Sequence, residues 1–210
     1  MRRYRVGVGL YSDRFLPRLV DLALGARTDE LRAKVASGLS DTVLEVGFGS
    51  GRNLPHLPPA VTRLVAVDPA VHGRRLAAHR LAASPVPVEF VGLDGQDLPL
   101  ADESVDHVLV TWTLCTIPDV GRALGEMHRV LRPGGALHFI EHGRSPNPKV
   151  ARRQAKLSPW WGRVSGGCRL DRAIPDLIAD AGFRTDAVQS YRLAYPELVG
   201  FTFEGVAVKG

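Results

Sequence analysis

The sequence is poor in cysteine. Its 210 residues contain two, Cys115 and Cys168, which lie far apart in the chain. Two separate cysteines exclude a disulfide framework and supply no CxxC metal or redox pair. We expect each to be a small buried hydrophobic residue, and we expect no metal site because a metal-thiolate centre needs a cysteine cluster. A reducing compartment fits this composition, so the predicted location is the cytoplasm.

Long apolar segments are also missing. No stretch approaches the roughly 20 apolar residues of a membrane-spanning helix, and the apolar run at 6–11 is too short for a signal peptide. The 45% hydrophobic and 23% charged content is that of an ordinary globular domain. The net charge is +5 although the chain has few lysines. This charge permits acidic partners, but a solvated basic surface explains it equally well.

Apolar runs and amphipathic patterns alternate along the chain. The apolar runs predict strands at 42–46, 63–67, 87–91, 106–110, 136–141, 184–192 and 199–208. The amphipathic patterns predict helices at 14–24, 28–36, 71–82, 119–131 and 172–181. This order is typical of an α/β fold with a mostly parallel sheet and helices on both faces. Such sheets bind ligands beyond the carboxyl ends of their strands.

The most specific motif follows the first predicted strand, and we expect a helix after it. Gly47, Gly49 and Gly51 permit a tight turn and the close approach of a ligand. Asp68 ends the second strand about twenty residues later, where a carboxylate can accept both ribose hydroxyls of a nucleoside. A nicotinamide-dependent oxidoreductase is the main alternative, but its motif requires a small residue where Arg52 stands. The pattern E-x-G-x-G-x-G instead suits a nucleoside that carries an amino-acid tail.

Several segments together resemble class I S-adenosylmethionine-dependent methyltransferases of the methyltransferase type 11 group. They read E-V-G-F-G-S-G, V-D-P, G-L-D-G-Q-D-L-P-L-A-D-E-S-V-D and R-V-L-R-P-G-G, and they span residues 40–142. The resemblance implies a Rossmann-like, seven-stranded sheet in one structural domain. Residues 1–38 would form an N-terminal helical cap on a methyltransferase domain at 39–210.

The same resemblance implies S-adenosylmethionine as the cofactor, without a metal. Gly47 matches the residue beside the methionine moiety, Asp68 the residue that holds the ribose, and Asp94 the residue that accepts from the adenine amino group. The full set of cofactor-binding residues that it implies is Glu45, Gly47, Phe48, Gly49, Gly51, Asn53, Asp68, Pro69, Asp94, Gly95, Gln96, Thr111 and Trp112.

A narrower resemblance covers nearly the whole chain and concerns the methyl acceptor. The segments T-W-T-L-C-T-I-P at 111–118, F-I-E-H-G at 139–143 and G-G-C-R-L at 166–170 resemble the group that contains thiol S-methyltransferases. Bacterial phospholipid and quinone methyltransferases are similar to a lesser degree. The animal thiol enzymes carry a hydrophobic N-terminal membrane segment that this sequence lacks. The resemblance implies a small, apolar acceptor, which is a thiol, phenol or heterocycle.

The expected acceptor residues lie after the later strands. His142 is the candidate general base, because histidine titrates near neutral pH, and a structural role for it is equally plausible. Strand alternation should send Glu141 and His142 to opposite faces, so that one of them faces the pocket. The residues expected to line that pocket are Tyr11, Cys115, Trp160, Trp161 and Cys168. The alternative is core packing for Tyr11 and the cysteines, and packing of a surface helix for the tryptophans.

Three functions follow from these observations. The first is a small-molecule methyltransferase that works by direct in-line transfer, as a monomer or homodimer. The second is a phospholipid or quinone methyltransferase at the membrane surface, because the segment around the two tryptophans is basic and would associate weakly with anionic lipid. The third is a nucleoside-binding module without turnover. A nucleic-acid partner is not expected, because the chain shows no recognition domain and no long basic stripe.

Overall fold

The strands of one sheet form the centre of the computed structural model, which describes residues 28–69, 71–193 and 196–210. Within those residues the strands are β1 (Asp41–Val46), β2 (Val61–Val67), β3 (Val88–Gly92), β4 (Val105–Thr111), β5 (Leu131–His142), β6 (Phe183–Arg192) and β7 (Phe201–Lys209). The helices are α1 (Asp29–Ala36), α2 (Val71–Leu76), α3 (Ala78–Ala83), α4 (Val120–Val130), α5 (Pro148–Val164) and α6 (Ile174–Asp180).

The sheet has seven strands in the order β3-β2-β1-β4-β5-β7-β6 in the described part of the chain. All neighbours pair in parallel except β7, which is antiparallel to both β5 and β6. The strand order reverses between β1 and β4, which is where open α/β sheets form their ligand crevice. Val46 of β1 is level with Val67 of β2 and Val110 of β4. The residues that follow these three strands therefore leave the sheet side by side.

Both faces of the sheet are buried. Along β1, Val43 belongs to the apolar cluster on one face, and Leu44 and Val46 belong to the cluster on the other. Helix α4 covers the second face with Leu124 and Met127, which are fully buried. Asp119 caps α4, because its carboxylate accepts a hydrogen bond from the Arg122 backbone N–H at 3.0 Å. The α/β fold predicted from the alternating pattern is confirmed.

Four local predictions were wrong. The helix expected at 71–82 is divided at Ala77 into α2 and α3. The loop after β1 leads into one 3₁₀ turn, Leu54–His56, instead of an α-helix. Prolines at positions 55, 58 and 59 explain this, because proline removes the backbone donors that a longer helix needs. Strand β5 starts at Leu131 and loops out around Gly134, so the strand begins before the expected 136.

The fourth difference is α5, a helix of 17 residues in a segment for which no element was predicted. The expected helix at 14–24 and Tyr11 lie outside the described residues. Helix α1 agrees with the expected helix at 28–36, and the division into a cap at 1–38 and a domain at 39–210 stays a prediction. Within the described residues no helix has both the length and the apolar character needed to cross a membrane.

Candidate active site

The loop after β1 folds into a tight turn at the carboxyl edge of the sheet. Gly47, Gly49 and Gly51 all have positive φ angles, of 84°, 54° and 73°, which favour glycine. The Gly47 N–H donates to the carbonyl of Val67 at 2.8 Å, which fastens the turn to the end of β2. A Cβ at Gly47 would lie 2.0 Å from Oγ1 of Thr113. The loops after β1 and β4 therefore leave no space for a side chain at position 47.

Asp68 lies directly beside this turn. Its side chain is 5% exposed, and Oδ2 accepts a hydrogen bond from the Gly49 N–H at 2.7 Å. This contact fixes the carboxylate at the end of β2, one strand over from the glycine turn. A buried carboxylate therefore lies next to the tight turn, as the sequence predicts.

Beneath the turn lies a buried polar network around Glu45. The Asn53 side-chain N–H₂ donates to Oε1 of Glu45 at 2.8 Å and to Oγ1 of Thr111 at 3.1 Å. Arg32 of α1 donates to Oδ1 of Asn53 at 2.7 Å and to Thr111 at 3.1 Å. Its guanidinium lies 4.8 Å from the ring centre of Trp112. The structure thus brings together four of the expected cofactor residues and adds an arginine.

Glu45 is the unusual member of this network. It is 1% exposed, and its Oε2 atom is buried with no hydrogen-bond partner. Burial raises the pKa of Glu45 from 4.5 to about 8, although Asn53 and Arg32 oppose the shift. A buried acceptor without a donor is costly. The site would therefore be stabilised by a ligand that brings a cationic donor to this carboxyl group.

The loop after β3 carries the next group of expected residues. Gln96 donates through its backbone N–H and its side chain to Oδ1 of Asp94, at 2.9 and 2.8 Å. Its side-chain oxygen accepts from the Asp119 N–H at 2.9 Å, so the loop is tied to the start of α4. Asp94 itself is exposed, and the neighbouring Leu93 is 53% exposed. An apolar side chain beside a fixed carboxylate suits a flat heterocycle with a donor group.

The loop after β4 is held by Glu141 of β5. This fully buried carboxylate accepts hydrogen bonds from the backbone N–H groups of Thr113, Leu114 and Cys115, at 2.6, 2.8 and 3.3 Å. Burial raises the pKa of Glu141 to about 7 against these hydrogen bonds. Trp112, at the start of the loop, has a positive φ of 52°. Glu141 therefore shapes the loop, and the neighbouring His142 contacts Cys168 instead.

Cys115, His142 and Cys168 form one buried cluster beside this loop. Their two sulfurs and an imidazole nitrogen all lie within 4.8 Å of one another. The Nε2 atom of His142 is 2.8 Å from Sγ of Cys168, and its buried Nδ1 has no partner. The expectation that the cysteines are isolated was wrong. The separation of the two cysteines in the sequence did not indicate this contact, because the fold brings the turn after α5 against the loop after β4.

Two arginines make that junction. The Arg169 N–H donates to the carbonyl of Cys115 at 2.8 Å. The guanidinium of Arg172 donates to the carbonyls of Leu114 and Ile117. These contacts run from the turn after α5 to the loop after β4, so Cys168 is fixed opposite Cys115. These hydrogen bonds therefore fix the position of the cluster at the carboxyl edge of the sheet.

The three side chains of the cluster shift one another's pKa values. A hydrogen bond from the Cys115 thiol, together with the imidazole of His142 and the indole of Trp161, holds the pKa of Cys168 well below its usual range despite burial. The same hydrogen bond and burial raise the pKa of Cys115. Burial lowers the pKa of His142, but its contact with Cys168 outweighs burial and raises it. The hydrogen bonds inside the cluster therefore lower the pKa of Cys168 and raise those of Cys115 and His142.

Four of the remaining expected residues differ in where their side chains lie. Trp161 lies beside Cys168, whereas Trp160 is 59% exposed on the outside of α5. Only Trp161 is therefore placed to line a pocket near the cysteines. Phe48 is 2% exposed and packs edge-on against Phe90, so its side chain belongs to the core and its backbone alone borders the loop. Pro69 is exposed next to Asp68.

Sequence reasoning missed Arg32 and the structural use of Glu141. No signal separates Arg32 from the other arginines, because its contacts depend on α1 packing against β5 and the 3₁₀ turn after β1. Glu141 carried a usable signal: a carboxylate inside an apolar strand must find donors when it is buried. The nearest donors at the carboxyl edge of a parallel sheet are the loop amides of the neighbouring strand.

The family model described as "Methyltransferase domain" matches residues 44–139. Thiol S-methyltransferase TMT1A of Homo sapiens is 32% identical over 177 residues, which cover 76% of this chain and 69% of that protein. Thiol S-methyltransferase TMT1B of Homo sapiens is 37% identical over 145 residues, which cover 67% of this chain and 59% of that protein. The chain thus spans under two thirds of the length of the second relative.

A solved structure extends the comparison to the fold. A methyltransferase determined in complex with the Haloferax volcanii Trm112 methyltransferase activator matches with a TM-score of 0.70 at 19% identity. The match covers 95% of this chain and 96% of that chain. That match shows the fold, and the relatives above show the family: this chain belongs to the S-adenosylmethionine-dependent methyltransferase family.

Proposed function

We propose that this protein transfers a methyl group from S-adenosylmethionine to the thiol of a small, apolar molecule. The observation that carries the proposal is a placement at one edge of the sheet. The glycine turn and Asp68 follow β1 and β2, and the sulfur-bearing cluster of Cys115, His142 and Cys168 borders β4 and β5. A nucleoside on the first side places its sulfonium methyl toward the second.

The residues of the site match the parts of the donor. Asp68 accepts from the ribose hydroxyls, and Leu93 and Asp94 receive the adenine ring and its amino group. The methionyl ammonium pairs with Oε2 of Glu45, which has no hydrogen-bond partner within the protein. Arg32 supplies positive charge next to the methionyl carboxylate. Each part of the ligand thus meets a group of complementary charge.

Methyl transfer needs little further chemistry from the protein. The donor methyl is already activated, so the protein aligns an acceptor lone pair behind it and excludes water. A thiol suits this site because its reference pKa of about 8.5 gives appreciable thiolate near neutral pH. A general base must be neutral to accept a proton, so this role of His142 requires a neutral imidazole and stays a prediction.

A panel of acceptors tests this function. We expect S-adenosylhomocysteine to form with small aromatic and aliphatic thiols, faster than with phenols, hydroxyquinolines or amines of similar size. The measurement is S-adenosylhomocysteine release by mass spectrometry with the methylated product identified. Tight donor binding without turnover of any acceptor would contradict it and would favour a nucleoside-binding module.

One observation favours an acceptor at the membrane surface as the second candidate. Leu157, Trp160 and Val164 lie at helical spacing on α5 and are 41%, 59% and 37% exposed. Basic side chains occupy the same helix, namely Lys149, Arg152, Arg153, Lys156 and Arg163. An exposed apolar stripe with basic neighbours is suited to anionic lipid. The same panel with phospholipid and quinone acceptors in anionic vesicles would support this candidate through turnover that requires vesicles.

Donor binding should release a proton from Glu45. At neutral pH this carboxyl group is mostly protonated, since its pKa is raised to about 8, with Arg32 and Asp68 as the charged groups that face it. An ammonium group at Oε2 lowers that pKa, so close to one proton per site should leave. Calorimetric enthalpies of S-adenosylhomocysteine binding should then vary linearly with the ionisation enthalpy of the buffer.

Glu45→Gln is the matched control for this prediction, because it keeps the shape of the side chain and cannot titrate. We expect its binding enthalpy to be independent of the buffer. Equal buffer dependence in both proteins would show that the released proton comes from another group and would contradict the proposed contact.

A further inference from the structure

We propose that Cys115, His142 and Cys168 form a binding site for one Zn²⁺ ion. The three side chains come from three separate segments, the loop after β4, the end of β5 and the turn after α5. Their ligand atoms lie within 4.8 Å of one another, and all three residues are buried. In the described part of the chain the group has these three members.

The spacing fits a small cation. Ligand atoms at tetrahedral zinc lie about 3.5–3.8 Å apart, given bond lengths of about 2.0–2.3 Å. The His142 Nε2 to Cys168 Sγ distance of 2.8 Å has to open by under about 1 Å, which side-chain rotation provides. The backbone around the site is already fixed, because Glu141 holds the amide of Cys115 and Arg169 bonds to its carbonyl. The ligands are therefore held ready without folding around the ion.

The donor set selects the class of metal. Two thiolate sulfurs and one imidazole favour zinc over magnesium or calcium, which take oxygen ligands. Two thiolates also need positive charge when buried, and the ion supplies it next to the guanidinium of Arg172. A set of two cysteines and one histidine leaves a fourth tetrahedral position open, as in catalytic rather than structural zinc sites.

The open position gives the ion a role that rests on the proposed function. An acceptor thiol binds there as a thiolate and releases its proton to solvent. Its sulfur then forms a bond to the methyl carbon, while the carbon–sulfur bond of the sulfonium donor breaks and its electron pair stays on the donor sulfur. The products are a neutral methyl thioether, which is a weak ligand and leaves, and S-adenosylhomocysteine.

Metal analysis and cobalt substitution test the site with the full chain, under a phosphine reductant that keeps both thiols reduced. We expect about one Zn²⁺ per chain after dialysis, and a thiolate-to-metal charge-transfer band when Co²⁺ replaces it. Cys168→Ser, Cys115→Ser and His142→Gln should each lower Zn²⁺ affinity tenfold or more. The exposed His79→Asn is the matched control and should keep both metal and band.

Two further measurements distinguish failure of the metal site from failure of the proposed function. Binding of S-adenosylhomocysteine by each variant reports on the fold and the donor site, and should be unchanged. A small aromatic thiol should shift the Co²⁺ spectrum of the unaltered protein. Absence of stoichiometric metal and of the charge-transfer band, in protein that still binds S-adenosylhomocysteine and methylates thiols, would overturn the zinc site while the proposed function stands.

Discussion

Alanine at position 68 is expected to weaken the binding of S-adenosylhomocysteine by 100-fold or more. Asp68 is 5% exposed and lies beside the glycine turn, where it would accept both ribose hydroxyls. Hydrogen bonds to a charged group contribute about 1.5–3 kcal/mol each. Losing two of them costs about 3 kcal/mol or more, which corresponds to at least about two powers of ten in affinity. Isothermal titration calorimetry of Asp68→Ala measures this directly.

Two controls make the result interpretable. Asp180→Ala removes an exposed carboxylate at the end of α6 and should leave affinity unchanged. Asp68→Asn keeps the hydrogen-bonding shape but loses the charge, so it should lie between the two. Asp68→Ala also removes the acceptor for the Gly49 N–H, and its circular dichroism and thermal melting show whether the fold survives. A folded Asp68→Ala protein with unchanged affinity would refute the site assignment.

Gly47→Ala should both destabilise the protein and abolish donor binding. The added Cβ would lie 2.0 Å from Oγ1 of Thr113, and the φ angle of 84° disfavours any side chain. The backbone conformation costs about 1–2 kcal/mol and overpacking costs about 1–3 kcal/mol. We therefore expect a loss of about 2–5 kcal/mol in the free energy of unfolding, measured by urea denaturation.

Gly134 provides the matched control. Its φ angle is 75°, and a Cβ there would meet nothing within 4 Å. Gly134→Ala should therefore show the cost of the backbone conformation alone, with donor binding unchanged. Combining Gly47→Ala with Thr113→Gly should restore the part of the stability that the clash removes. Equal losses of unfolding free energy in Gly47→Ala and Gly134→Ala would mean that Thr113 does not clash with a side chain at position 47.

The position of Asp68 beside the glycine turn could be predicted because the signals for it are local. The glycine turn directly follows an apolar strand, and Asp68 directly follows the next one, so strand adjacency alone places them together. Local reasoning also accounts for the cap at Asp119 and for Gly182, which follows α6 with a positive φ of 92°. It failed at α5, whose 17 residues include an internal proline that argues against a helix.

The amino-acid sequence by itself determined the α/β architecture, because apolar periodicity fixes strands and helices and glycine fixes the tight turn after β1. The tertiary structure alone decided what surrounds them. It brought Arg32 over Glu45 and placed Cys168 within 4.8 Å of Cys115, 53 positions apart in the chain. Periodicity encodes which face of an element is buried, whereas contacts between distant segments depend on the order of the strands and on how the loops cross their ends.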